Sequence, residues 1–181
     1  DYHKKYYHPA NSYIYMYGDM DIQERLDYLD REYLSQFDAQ TVHVDSNIQL
    51  QEPFCAMADL SKPFPVTEDE LLNDNTYLSF NKVVGTATDA KLYLAMQILD
   101  YALIVAPGAK LKQALVDKGV GDDIYSSLET SVYQPIYSII AKNSESDKKQ
   151  LFLNTIYEVL TDIVENGIDK RMIAAGINYY E

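Results

Sequence analysis

Tryptophan is absent, cysteine occurs once and histidine three times in a chain of 181 residues. With Cys55 alone, an internal disulfide is excluded. This thiol reads as a buried or half-buried side chain rather than a nucleophile, because no base accompanies it in the sequence. The imidazoles are just as sparse. Zinc hydrolysis needs two of them one helical turn apart, with a carboxylate on the same face to activate water, as in H-x-x-E-H. His3 and His8 are five residues apart beside Pro9, and His43 has only Asp45 near it. No metal-binding and no catalytic residue is therefore expected within this chain.

Basic residues are also few. Fifteen Lys and Arg stand against 28 Asp and Glu, a formal net charge of −13. Nucleic-acid binding through phosphates needs clustered cations, so no nucleic-acid partner is expected. The longest apolar stretch, residues 92–105, is interrupted by Gln97 and Asp100. It falls short of the roughly 18 uninterrupted apolar residues of a membrane span, so no membrane partner is expected either. Neither a G-x-S-x-G elbow nor a nucleotide loop occurs. Gly119-Val120-Gly121 lacks a third glycine and follows a helical pattern rather than a strand. Asp122-Asp123 reads as a solvated turn.

What remains is an ordinary globular composition, 47% hydrophobic and 24% charged, long enough for one domain plus part of another. An aromatic run ending in Tyr6-Tyr7-His8 stops at Pro9 and turns through Ala10-Asn11. Residues 13–17 then alternate Tyr13, Tyr15 and Tyr17 with Ile14 and Met16, the pattern of a strand covered on both faces. Asp21 with Glu24 makes a helix cap, and Ile22, Leu26, Leu29, Tyr33 and Phe37 line one face of the helix that follows. Residues 38–75 lose this periodicity, carry Pro53, Pro63 and Pro65, and read as a linker with a short strand at residues 41–44.

From Thr76 a second unit begins. Residues 77–84 form a strand with Leu78, Phe80 and Val84 on one face. Thr88 caps a helix whose Leu92, Met96, Leu99 and Leu103 stripe, widened by Ala95, Ile98, Tyr101 and Ala102, makes it the most buried helix expected. A short helix with Leu111, Ala114 and Leu115 stops at Gly119. Residues 124–142 are two strands, with Pro135 near the start of the second. Ser146 or Asp147 opens a helix bearing Phe152, Ile156, Val159 and Ile163; Asn166-Gly167 ends it, and Asp169 caps a last helix. The order predicts an α+β fold, with helices packed on one face of a mainly antiparallel sheet. The opening and closing segments read as interrupted elements, as expected of a fragment.

Several runs carry a resemblance. Tyr6-Tyr7-His8-Pro9-Ala10-Asn11 is similar to Y-Y-H-P-S-N-A, Tyr17-Gly18-Asp19 to Y-G-N or Y-G-D, and Tyr33-Leu34-Ser35-Gln36-Phe37 to E-Y-L-S-K-F. Leu111, Ala114-Leu115 and Gly119-Val120-Gly121 match L-x-x-A-L-x-x-x-G-x-G, and Gln134-Pro135 and Asn166-Gly167-Ile168 fall in order after them. Together they resemble the pitrilysin/insulysin class of zinc metallopeptidases, in its presequence-protease branch. The resemblance spans nearly the whole chain.

In that class four similar α+β domains form two bowls that close around an unfolded peptide, and the zinc motif lies in the first domain. The resemblance thus implies that residues 1–37 are the end of that first domain and residues 76–181 most of a second, metal-free one. Zinc is implied for the parent protein but not for this segment. The implied partners are an unfolded peptide substrate and other domains of the same chain, and the implied compartment is cytoplasmic if the source is bacterial. Related enzymes bind peptide as an added strand. The candidate here is residues 125–130, with Ser126, Ser127, Leu128 and Glu129 as the substrate-binding set, since the serine pair lets another backbone approach. Two alternatives stay open: a parent that has lost the zinc motif and serves a structural role, and an unrelated α+β binding module.

Overall fold

The structure is a computed structural model that describes residues 1–38, 49–69 and 73–181. The expected strand at residues 41–44 lies outside the described residues. The chain divides into two compact units, Asp1–Gln49 and Leu50–Glu181.

In the first unit, helix α1 (Tyr2–Tyr6) stops before Pro9, which opens a 3-10 turn, Pro9–Asn11. Pro9 has no N–H to lose at this first position. The turn is tied locally: His8 Nδ1 accepts from Ala10 N at 3.1 Å, and Asn11 Nδ2 donates to the Tyr6 carbonyl at 3.0 Å. Asp21 caps helix α2 (Ile22–Glu32), its carboxylate accepting from Glu24 N at 3.1 Å. Two expectations need correction. Residues 13–17 are not a strand, and Tyr13, Tyr15 and Tyr17 are 104%, 86% and 86% exposed. A strand needs a neighbour to satisfy its backbone, and no described residue of this unit supplies one. The α-helix also ends before Phe37. At Tyr33 the backbone leaves helical geometry, and Leu34–Gln36 tighten into a 3-10 turn that packs Phe37 edge-on against Tyr33 and His8.

The second unit holds a three-stranded antiparallel sheet, β1 (Thr76–Val83), β2 (Asp123–Glu129) and β3 (Ile136–Ser144), in the order β1-β3-β2. Its helices are α3 (Ala90–Asp100), α4 (Lys110–Asp117), α5 (Lys149–Asn166) and α6 (Lys170–Tyr180). This is the expected α+β architecture. Alternation puts Leu78, Ile124, Tyr137, Ile139 and Ala141 on one sheet face, where they meet Leu103, Ile104, Leu111, Leu115, Phe152 and Ile156 from the helices.

The cap of α3 is Asp89, accepting from Leu92 N at 3.0 Å, and not Thr88, whose hydroxyl bonds that of Thr86. Burial of α3 is concentrated at its end. Leu94 is 52% exposed, whereas Asp100, Ala102, Leu103 and Ile104 are buried. The helix widens there into a single π-turn, Tyr101–Val105, closed by Ala106 N on the Tyr101 carbonyl at 2.8 Å. The wider turn lets three successive residues face inward. Earlier turns of α3 meet α6, where Gly176 allows contact: a Cβ there would lie 3.2 Å from the Ile98 carbonyl oxygen.

Helix α5 is opened by a 3-10 turn, Ser146–Lys148, with no side-chain cap from Ser146 or Asp147. Gly167 ends it and Asp169 caps α6, as expected. By length and composition alone Ala90–Asp117 would suffice to cross a membrane. It is broken at Pro107-Gly108, and its inward residues Leu103, Ile104, Leu111 and Leu115 fill the core.

Residues 50–69 carry no helix or strand and are exposed throughout, which corrects the expectation for Cys55: its thiol is exposed. The stretch is held at separate points. The Gln134 carboxamide both accepts from Gln51 N at 2.7 Å and donates to the Gln51 carbonyl at 3.2 Å. Lys149 pairs with Asp59, and Phe64 meets Tyr77 edge-on at 5.6 Å.

Candidate functional site

Strand β2 carries the four residues singled out from the sequence. The ladder sets Ser126 opposite Ile139, Ser127 opposite Ser138, Leu128 opposite Tyr137 and Glu129 opposite Ile136. Because β3 is central, β2 pairs along one side only, and no described strand covers its other side. Every second residue of such an edge presents its backbone N–H and C=O outward.

The pleat divides the four residues between two faces. Ser126 and Leu128 turn toward the helices with buried Ile124 and are half-buried. Ser127 and Glu129 point the other way with Tyr125 and are exposed. Ser126 shares that inner face with Tyr137, whose register partner on β2 is Leu128. The Tyr137 phenol donates to Asp100 Oδ1 at 2.8 Å within the core. Burial first, and then the Asp100 carboxylate, push the Tyr137 hydroxyl far above the ordinary tyrosine range, so it stays protonated and donating. The central strand β3 is thereby tied to the end of α3.

On the outer face Ser127 continues a polar row. Its cross-strand neighbour Ser138 donates to Asn81 Oδ1 at 2.7 Å, and Ser79 donates to the same oxygen at 3.0 Å. At the end of β2, one Glu129 carboxylate oxygen accepts from both Ser131 N, at 2.8 Å, and Ser131 Oγ, at 2.6 Å. The Ser131 hydroxyl, and then its N–H, hold the Glu129 carboxyl below the usual glutamate range.

Among the described residues no group of His, Cys, Asp or Glu is arranged to hold a metal ion. His8 is occupied in its turn and His3 stacks on Tyr7 at 4.4 Å. His43 lies outside the described residues. Among the described residues there is thus no donor set for zinc chemistry. The site offers hydrogen-bonding backbone, two small hydroxylated side chains, one ring and one carboxylate.

Sequence reasoning missed Asp100 and Tyr137. The signal was present, an ionisable residue inside the apolar stretch of residues 92–105. A lone acid among apolar residues asks for a buried partner, and Tyr137 sits at an inward position of β3.

Residues 1–179 match the family described as Peptidase M16 inactive domain. The chain belongs to that family. Protein HypA of Clostridium perfringens is 40% identical over all of this chain, which covers 18% of that protein. Presequence protease 1, chloroplastic/mitochondrial, of Arabidopsis thaliana is 30% identical over all of this chain, which covers 17% of it. The mitochondrial presequence protease of Danio rerio is 23% identical over 99% of the chain and 18% of that protein. This M16 inactive domain thus spans under a fifth of the length of these curated relatives. Its relatives include peptidases.

Proposed function

We propose that this M16 inactive domain is a scaffold and substrate-chamber wall of a zinc-dependent peptidase that degrades short unfolded peptides. In this reading residues 1–37 are the end of the preceding catalytic-type domain, residues 38–75 a linker, and residues 76–181 a second domain without metal. The zinc, and the glutamate that activates water, belong to other parts of the parent chain. The apolar stretch of residues 13–17, unpaired among the described residues, supports the first assignment.

The domain's own contribution is to hold substrate. The observation that carries this is the edge of β2 at Ser126 and Ser127, which no described strand covers and where the side chains beside the outward backbone are small. An extended peptide added there makes main-chain hydrogen bonds that do not depend on its sequence, which suits an enzyme acting on unfolded chains. Ser126, Ser127, Leu128 and Glu129 are the residues of that contact. A labelled extended peptide is expected to bind the 181-residue chain, and N-methylation of its alternate amides to abolish binding. Equal binding of methylated and unmethylated peptide would refute strand addition. The chain alone is expected to hydrolyse no peptide; chelator-sensitive cleavage by it would refute the scaffold reading.

A further inference from the structure

If β2 accepts a peptide strand, the side chains on its outer face lie beside those of the peptide. This inference rests on the reading above. Residues two apart share a face, so Tyr125, Ser127 and Glu129 make one outward file along the edge. Tyr125 is 38% exposed, and Ser127 and Glu129 are exposed. The three differ in kind: a ring, a hydroxymethyl group and a carboxylate. A neighbouring strand places its side chains about 5 Å from those directly opposite and about 7–8 Å from the diagonal ones. The peptide residue opposite Ser127 therefore enters a gap, with the Tyr125 ring on one side and the Glu129 carboxylate on the other. The floor of that gap continues into Ser138 and Asn81 across the sheet.

Glu129 is the specific element. Its carboxylate is fixed by Ser131, and it forms no ion pair with any cation among the described residues. The outward lysine of the central strand, Lys142, sits opposite Asp123 at the far end of β2. A chain of net charge −13 adds a background field of the same sign.

We infer that the β2 edge is selective, taking extended peptides that carry Lys or Arg beside Glu129 and an apolar or aromatic residue four positions away, beside Tyr125. Because Tyr125 and Glu129 are themselves four apart, the spacing holds for either peptide direction. Ser127 leaves the position between them open to any side chain.

The test uses the 181-residue chain and fluorescein-labelled nonapeptides read by anisotropy. One peptide carries Phe and Lys four apart; its counterpart has Glu in place of Lys. The Lys peptide is expected to bind about fivefold more tightly at low salt, the scale of an exposed charge pair exchanged for a repulsive one. The preference should shrink as salt rises. Glu129→Lys should reverse it, and Glu129→Gln should erase it. Equal binding of the two peptides, or a preference unchanged in Glu129→Lys, overturns the side-chain selectivity while leaving strand addition standing. Binding of neither peptide overturns both. The exchange is made in the peptide as well as the protein, so the outcome does not depend on how a variant folds.

Discussion

Helices α2 and α5 are both amphipathic by sequence, yet their surroundings differ. On α5, Phe152, Thr155, Ile156 and Val159 are buried. On α2 no residue is buried, and Ile22 and Leu26 are 56% and 47% exposed. A stripe of apolar residues states only that a helix has a face to cover; stability comes from what covers it. In the second unit the sheet does so. In the first, no described strand does.

The sharpest way to break this contrast is to remove equivalent side chains. Phe152→Ala leaves a cavity in the core and is expected to cost about 3–5 kcal/mol in denaturant unfolding. Ile22→Ala, on the uncovered stripe, is expected to stay within about 0.5 kcal/mol. A comparable loss from both would mean that α2 is covered in solution.

A smaller effect is expected at the buried polar link. Tyr137→Phe removes the donor to Asp100 and leaves a carboxylate in the core with one partner fewer, at a cost of about 1–3 kcal/mol. Adding Asp100→Leu to that variant should recover part of the loss, since no unsatisfied oxygen then remains. Thermal unfolding of the two variants side by side checks this.

Smaller again is the cap of α2. Asp21→Ala should weaken that helix by about 1 kcal/mol. Faster amide exchange is expected in α2 with no change in the core strands, and a shift in global unfolding would contradict it.

The smallest effect concerns pH. The Glu129 carboxyl is held below its ordinary range by Ser131. Its contribution is therefore complete above the unfolded value, near pH 4.3 for an ordinary glutamate, and is lost as pH falls through the lower folded value. Amide shifts of the loop after β2 should titrate in that acidic window, and Ser131→Ala should move the window upward.

Much of the second unit was legible because several local signals agreed. For α4, the Leu111–Leu115 spacing and Gly119 pointed to one helix with one end, and both leucines are fully buried. For α6, Asp169 caps where its position before the periodic residues required. Where two residues could serve, the reading slipped by one: Thr88 and Asp89 both offer a side-chain oxygen, and the one adjoining the first helical residue won. The strand pattern at residues 13–17 described a covered environment without naming what covers it, so it failed as a statement about these residues alone.

The candidate site was half legible. That Ser126 and Ser127 lie on a strand follows from alternation and turn residues. That this strand is an edge depends on β1 pairing with β3 across some 60 residues, which no local pattern encodes. The split of the four residues between two faces follows from alternation once the register is known. The tie from Tyr137 to Asp100 needed the packed core to become visible.

The central place of β3 also bears on how the chain finds this arrangement. Its pairing with β2 closes a short hairpin between Glu129 and Ile136, whereas its pairing with β1 must bring Thr76 to Ser144 around α3 and α4. Short closures come early and long ones late, because chain entropy must be lost before distant contacts reward it. Pulse-labelled hydrogen exchange during refolding is expected to protect the amides that β2 and β3 exchange first, and those of β1 last.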